Sequence, residues 1–160
     1  MTQRFLKLDK EVFDIFWPDL SILFNKVISE QGAGRDNLEL LYTKIKNDLL
    51  DVWIYKGEGN PAGGPFSSIV QEGIQAAYCT AITEYPEKRS LFWGYMSAVN
   101  NNMNEWKEPM LVALKNYALY NECDCLEFFS TRTGWNKIFE DAGATVENIG
   151  TIYEVTLDGK

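Results

Sequence analysis

Acid–base chemistry in this chain has to come from carboxylates and tyrosines, because the sequence contains no histidine. That excludes Ser-His-Asp and Cys-His nucleophilic catalysis and every metal site that needs imidazole. Glu84 ends a strand pattern and could serve as a general base; the alternative is a solvated turn residue beside Pro86. Glu127 lies between Leu126 and Phe128, as a buried base with a raised pKa, as an exposed sheet position, or as a partner of Arg132. Tyr95 and Tyr153 are candidate general acids, against the background of an aromatic-rich core. Arg132 follows a strand pattern and precedes a helix pattern, a place for gripping a phosphate or carboxylate, or for tying loop to helix.

Other chemistries lack their parts. The cysteines are Cys79, Cys123 and Cys125, and neither a second pair nor a histidine completes a tetrahedron around Cys123-x-Cys125, so no metal is expected. An odd count is a poor disulfide framework, which points to reduced thiols and a cytoplasmic setting. The run Gly57 to Pro65 is the strongest loop signal, but it lacks Gly-Lys-Ser/Thr and is no P-loop; it reads as a surface loop or the border of a partner surface. Fifteen basic against 23 acidic residues give a net charge of −8, which disfavours non-specific nucleic-acid binding. No apolar run approaches the roughly 20 residues of a membrane helix, and Met1 to Phe5 does not open a secretory signal.

These candidates need elements to hold them. The chain has 160 residues, 46% of them hydrophobic, enough for one domain over 1–160. Gln3 to Leu8 reads as a strand. A helix pattern opens at Asp9, is interrupted by Pro18, which must kink it or start a new helix, and continues through Leu20, Leu23, Phe24, Val27 and Ile28 to Gly32-Ala33-Gly34. Asp36 is the expected N-cap of a second helix, with Glu39 in capping-box position and Leu38, Leu41, Ile45 and Leu49 buried. Asp51 to Lys56, Ile74 to Tyr85 and Ser90 to Val99 are strands, the last two antiparallel and apolar on both faces. In the last, Leu91, Trp93 and Tyr95 are set against Phe92, Met96 and Ala98. After the polar break Asn100 to Asn104 comes a helix to about Asn121 with Pro109 near its start, then a strand Cys125 to Ser130. A helix ending at Gly143 and a strand Thr151 to Leu157 close the chain. The order β-α-α-β-β-β-α-β-α-β describes a mixed, mostly antiparallel α/β sheet with helices on both faces.

That order, with Trp17-Pro18, Ile82-Thr83-Glu84-Tyr85-Pro86, Leu91-Phe92-Trp93-Gly94, Cys123-Asp124-Cys125-Leu126-Glu127 and the run from Thr131 to Ala144, resembles the GNAT (Gcn5-related N-acetyltransferase) fold, in particular the short GNAT-like proteins of tailed bacteriophages. The resemblance implies that the strand before the third helix splays from its neighbour to hold the pantetheine arm of acetyl-CoA. It also implies that the following loop offers N–H groups to the pyrophosphate at a helix N-terminus. Carried onto this sequence, the cofactor-binding positions are Met96, Ala98, Val99, Asn101, Asn102, Asn104 and Arg132. The loop departs from the family pattern: asparagines stand where spaced glycines are usual, and Glu105 and Glu108 follow, with Lys107 the nearby cation.

Two functions follow from the resemblance. In the first, which the altered loop favours, this is a phage-type relative without cofactor, in the host cytoplasm or incorporated into a virion. It would act through a protein partner, such as other phage proteins, in the particle or its assembly. In the second it is an acetyl-CoA-dependent N-acetyltransferase acting on a protein or small amine, whose acidic surface attracts cations.

Overall fold

The computed structural model describes residues 5–31, 34–56, 74–99, 103–130, 134–151 and 153–157. Its elements are β1 (Phe5–Lys7), α1 (Lys10–Gln31), α2 (Leu38–Lys46), β2 (Asp51–Lys56), β3 (Ile74–Glu84), β4 (Arg89–Ala98), α3 (Met103–Tyr120), β5 (Cys125–Glu127) and α4 (Gly134–Asp141). The strands form one sheet in the order β1-β2-β3-β4-β5. Neighbours are antiparallel except β4 and β5, which the α3 crossover makes parallel.

Helices cover both faces, so the central strands are apolar on both sides. Phe13, Leu20 and Phe24 of α1 and Leu41 and Ile45 of α2 pack on Val52, Ile54, Ala77 and Cys79. On the other face Trp106, Met110 and Leu114 of α3 and Phe139 of α4 pack on Trp53, Tyr78, Leu91 and Trp93. Phe13, Leu20, Phe24, Tyr78 and Leu91 are all but sealed from solvent, and each such side chain contributes on the order of 2–3 kcal/mol through removal of apolar area from water.

Several sequence expectations change. α1 runs through Pro18 as one helix, and the Ser21 hydroxyl donates to the Pro18 carbonyl at 2.7 Å. α2 is capped by Asn37, whose side chain accepts from the Leu40 N–H at 2.7 Å, and not by Asp36; it ends at Lys46, leaving Leu49 exposed. The described residues of the expected last strand, 151 and 153–157, pair with no strand, and Tyr153, Val155 and Leu157 stand exposed. Alternation alone does not make a strand; a partner edge must be alongside, and none of the described edges is. The glycine-rich loop from Gly57 to Pro65 lies outside the described residues.

The largest change is in β4. Ala77 faces Ser97, but Cys79 faces Gly94, so β4 carries one extra residue there. Tyr95 occupies that bulge in a left-handed conformation, with φ of 57°. The insertion flips the side-chain parity. Met96 and Ala98 join Trp93 on the α3 face, while Tyr95 turns to the α1 face beside Phe92. Strict alternation had put Tyr95 with Trp93 and Met96 with Phe92.

Candidate functional site

Pairing between β4 and β5 runs through Ser90–Cys125 and Leu91–Leu126 and ends at Phe92–Glu127. From Trp93 to Ala98, β4 continues with β3 on one side and no β5 on the other. Past that rung the β4 edge has no strand partner among the described residues, a wedge-shaped opening in the pairing, and α3 begins at Met103, five positions after β4 ends. Helix N-termini carry unpaired N–H groups and a partial positive charge, so the wedge leads toward a place suited to an anion.

The bulge sets Tyr95 on the sheet face that packs against α1. Turned toward α1, the Tyr95 ring meets Phe24 edge-on, with centroids 6.4 Å apart. Its hydroxyl donates to Asp36 Oδ2. Asp36 is in place because Asn37 takes the capping role; Asp36 Oδ1 accepts the Asn37 N–H at 2.9 Å. Burial and then the Asp36 bond push the Tyr95 hydroxyl well above the usual tyrosine range, so it stays protonated and serves as a donor. Asp36 is half-buried. Sequence reasoning missed it as a chemical group, since a carboxylate just before a helix reads as a cap. The signal was the doublet Asp36-Asn37, in which only one residue can cap.

The other candidates scatter. Glu84 pairs with Arg89 at the β3–β4 turn, the opposite end of β4 from the wedge. At about 3.3 Å per residue the Glu84–Arg89 pair is roughly 13 Å from Trp93, where the open edge begins, and roughly 30 Å from Ala98, its far end, so Glu84 is not beside the open edge. Glu127 stands half-buried on the last rung, and its carboxylate accepts from the Tyr85 hydroxyl at 2.7 Å. That bond, ahead of burial, raises the Tyr85 pKa. Tyr153 is 83% exposed on the C-terminal segment. Met96 and Ala98 are half-buried on the α3 face, and Val99 and Asn104 are exposed. Asn101, Asn102 and Arg132 lie outside the described residues.

Whether the wedge suits an acyl-CoA can be tested on its orphan groups. Ser97 Oγ, Trp93 Nε1 and Trp106 Nε1 are buried without a hydrogen-bond partner among the described residues. Ser97 and Trp93 belong to the unaccompanied stretch of β4, and Trp106 to the first turn of α3. They do not converge: Ser97 pairs with Ala77 of the α1-side core, Trp93 and Trp106 belong to the α3-side core, and Tyr78 Oη, Arg89 Nε and Ser90 Oγ are equally unpartnered among the described residues, away from the open edge. At the mouth, Glu105 is exposed in the first turn of α3, and Lys107 and Glu108 follow. What suits an extended arm is the unpaired backbone edge of β4, and the acidic start of α3 suits phosphates less well. Among the described residues no group of three or more metal-ligating side chains gathers, and no helix is long and apolar enough to cross a membrane.

No protein-family model matches the chain, and no curated protein matches it. Solved structures do. A GNAT family acetyltransferase from Staphylococcus aureus aligns at a TM-score of 0.61 with 11% identity, over 97% of this chain and 100% of that one. An aminoglycoside acetyltransferase from an uncultured soil metagenomic sample, in complex with sisomicin, aligns at 0.63 with 12% identity, over 98% and 97%. A predicted acetyltransferase from Clostridium acetobutylicum, solved with acetyl-CoA, aligns at 0.61 with 16% identity, over 96% of each chain. At such identities the likeness is one of fold, and the fold is that of the GNAT acetyltransferases.

Proposed function

We propose that the chain binds an acyl-coenzyme A in the wedge between β4 and β5 and transfers the acyl group to an amine. The observation that carries this reading is the end of pairing at Phe92–Glu127, which leaves the β4 edge from Trp93 to Ala98 open beside the start of α3. An extended amide-bearing arm docks on a strand edge through main-chain hydrogen bonds. Met96, Ala98 and Val99 would border that arm, Asn101, Asn102 and Asn104 its phosphates, and Arg132 is the cation assigned to them. The bound cofactor supplies an activated thioester. Asp36 is the carboxylate placed to take the proton of the incoming amine, and the Tyr95 hydroxyl holds it in orientation.

Calorimetric titration with acetyl-CoA tests the reading. Micromolar affinity is expected, and a folded protein that shows no heat at millimolar acetyl-CoA would overturn it.

The second reading, a GNAT-fold module without cofactor that works through protein contacts in a phage particle or its assembly, is favoured by one feature. Glu105 and Glu108 put negative charge at the start of α3, where a pyrophosphate would lie. Its phage setting rests on the sequence resemblance. Co-purification of phage structural proteins with the chain, in the absence of acetyl-CoA binding, would select it.

A further inference from the structure

Between α1 and α2, a surface cavity of about 340 Å³ is lined by Asp14, Trp17, Leu38, Glu39 and Tyr42. It lies outside the wedge, and the acyl-transfer reading makes no use of it. Its two rings, Trp17 and Tyr42, have centroids 5.2 Å apart and planes inclined at 58°, which makes a corner and not a closed stack. Phe13 braces both from behind, at 5.3 Å from Trp17 and 5.7 Å from Tyr42. A corner of π faces attracts a cation, and the polar lining is anionic.

Asp14 is fixed in place. Tyr42 Oη donates to one of its oxygens at 2.8 Å and Lys46 Nζ to the other at 2.9 Å. Those two bonds hold its carboxyl below the usual aspartate range, so it stays ionised. A carboxylate has about four acceptor directions, so two remain for a ligand. Lys46 offsets one charge, and the α2 N-terminus adds a partial positive one. Glu39, exposed in the first turn of α2, supplies the second carboxylate. A neutral apolar guest would gain nothing from it.

We infer that this cavity is a recognition site for an alkylammonium group, seated in the Trp17–Tyr42 corner and met by Asp14 and Glu39. The inference stands whether or not the chain transfers acyl groups. It is tested by following the tryptophan indole N–H resonances, five in all, during titration with n-butylammonium and with the uncharged isostere n-butanol. Trp17→Phe identifies the Trp17 signal. That signal alone should shift and saturate at millimolar butylammonium, with butanol at least tenfold weaker. Glu39→Gln should weaken the cation about threefold and Glu39→Lys at least tenfold, both at an exposed position that does not threaten folding. Equal response to butanol, no shift at Trp17, or an unchanged titration in Glu39→Lys would overturn it. Spermidine and N-acetyl-lysine amide then distinguish a free polyamine from a protein lysine as the source of the ammonium.

Discussion

At its first residues β4 is held from both sides. The Arg89 N–H donates to Asp124 Oδ2 at 2.9 Å, the Asp124 N–H returns to the Arg89 carbonyl at 2.7 Å, and Glu84 pairs with the Arg89 side chain. The Tyr85 N–H closes the turn on Lys88, and its hydroxyl reaches Glu127. At its last residues β4 keeps β3 but loses β5, takes in an extra residue at Tyr95, and carries Ser97 Oγ buried with no partner among the described residues. Both ends leave polar atoms buried without a partner among the described residues, Arg89 Nε and Ser90 Oγ at the first and Ser97 Oγ at the last, so the difference lies in the backbone pairing: two strand neighbours at the first end, one at the last. The carboxylates that look catalytic in the sequence are both bonded by residues of the β3–β4 turn, Glu84 by Arg89 and Glu127, on the last rung, by Tyr85. The hydrogen-bonded pair Asp36 and Tyr95, to which the acyl-transfer proposal gives the chemistry, is at the open end. The backbone strain of β4, at Tyr95, falls where the strand has one neighbour only, and the residues with two neighbours are regular.

The joint between the two ends is Trp93, the first residue past the last rung. It is 2% exposed and meets Phe128, Trp135 and Phe139 edge-on, with centroids at 5.5, 4.8 and 5.8 Å. Trp93→Ala should be the most damaging change considered, about 3–5 kcal/mol, read as a fall in the urea midpoint. A loss below about 1 kcal/mol would mean that the aromatic joint does not hold β5 and α4 to β4.

Next in size is the bulge itself. A Cβ on Gly94 would stand 2.6 Å from Phe92 Cζ, so the Phe92 ring must swing away. Gly94→Ala should cost about 1–3 kcal/mol, and pairing it with Phe92→Leu should recover part of that. Additivity of the two changes would show that the ring is not the obstacle.

Much of this framework was legible in the sequence. The 3.6-residue stripes of α1, α2 and α3 and the two-faced apolar strands β3 and β4 gave the layers, because burial on both faces leaves a plain pattern. The bulge was not legible. Gly94-Tyr95 reads as an uninterrupted strand, and one inserted residue reverses every face after it, which put Tyr95, a candidate already named, on the wrong face together with Met96 and Ala98. Asp36 was hidden by a tie between two equally good caps, settled only by the Tyr95 hydroxyl. The last strand failed for the opposite reason: Tyr153, Val155 and Leu157 alternate correctly, but a pattern does not provide an edge to join.

Tyr95→Phe keeps the ring against Phe24 and removes the bond to Asp36, so it should cost about 0.5–1.5 kcal/mol near neutrality. It also has a pH signature. The folded pKa of Tyr95 is raised above the ordinary 10.0, first by burial. Its contribution is therefore whole below pH of about 10 and is lost as pH rises toward the folded value. Tyr78, Tyr85 and Tyr117 are raised as well, so the protein should weaken above that pH. In urea midpoints taken from pH 8 to 11.5, Tyr95→Phe should flatten the alkaline decline. An unaltered slope would remove the Tyr95–Asp36 bond from the description of the open end.

The smallest effect belongs to Glu84, and its smallness is informative. Its side chain is 70% exposed, and an ion pair in that setting contributes about 0–1 kcal/mol. Arg89 is held through its backbone by Asp124, and that tie does not depend on its side chain. Glu84→Gln should therefore move the urea midpoint by less than about 0.5 kcal/mol, and 0.5 M salt should erase even that, because screening acts on exposed pairs. Acetyl-CoA affinity should stay within about twofold, since the wedge opens at the other end of the strand. A tenfold change in affinity or turnover would join the two ends of β4 into one site and undo the contrast between them.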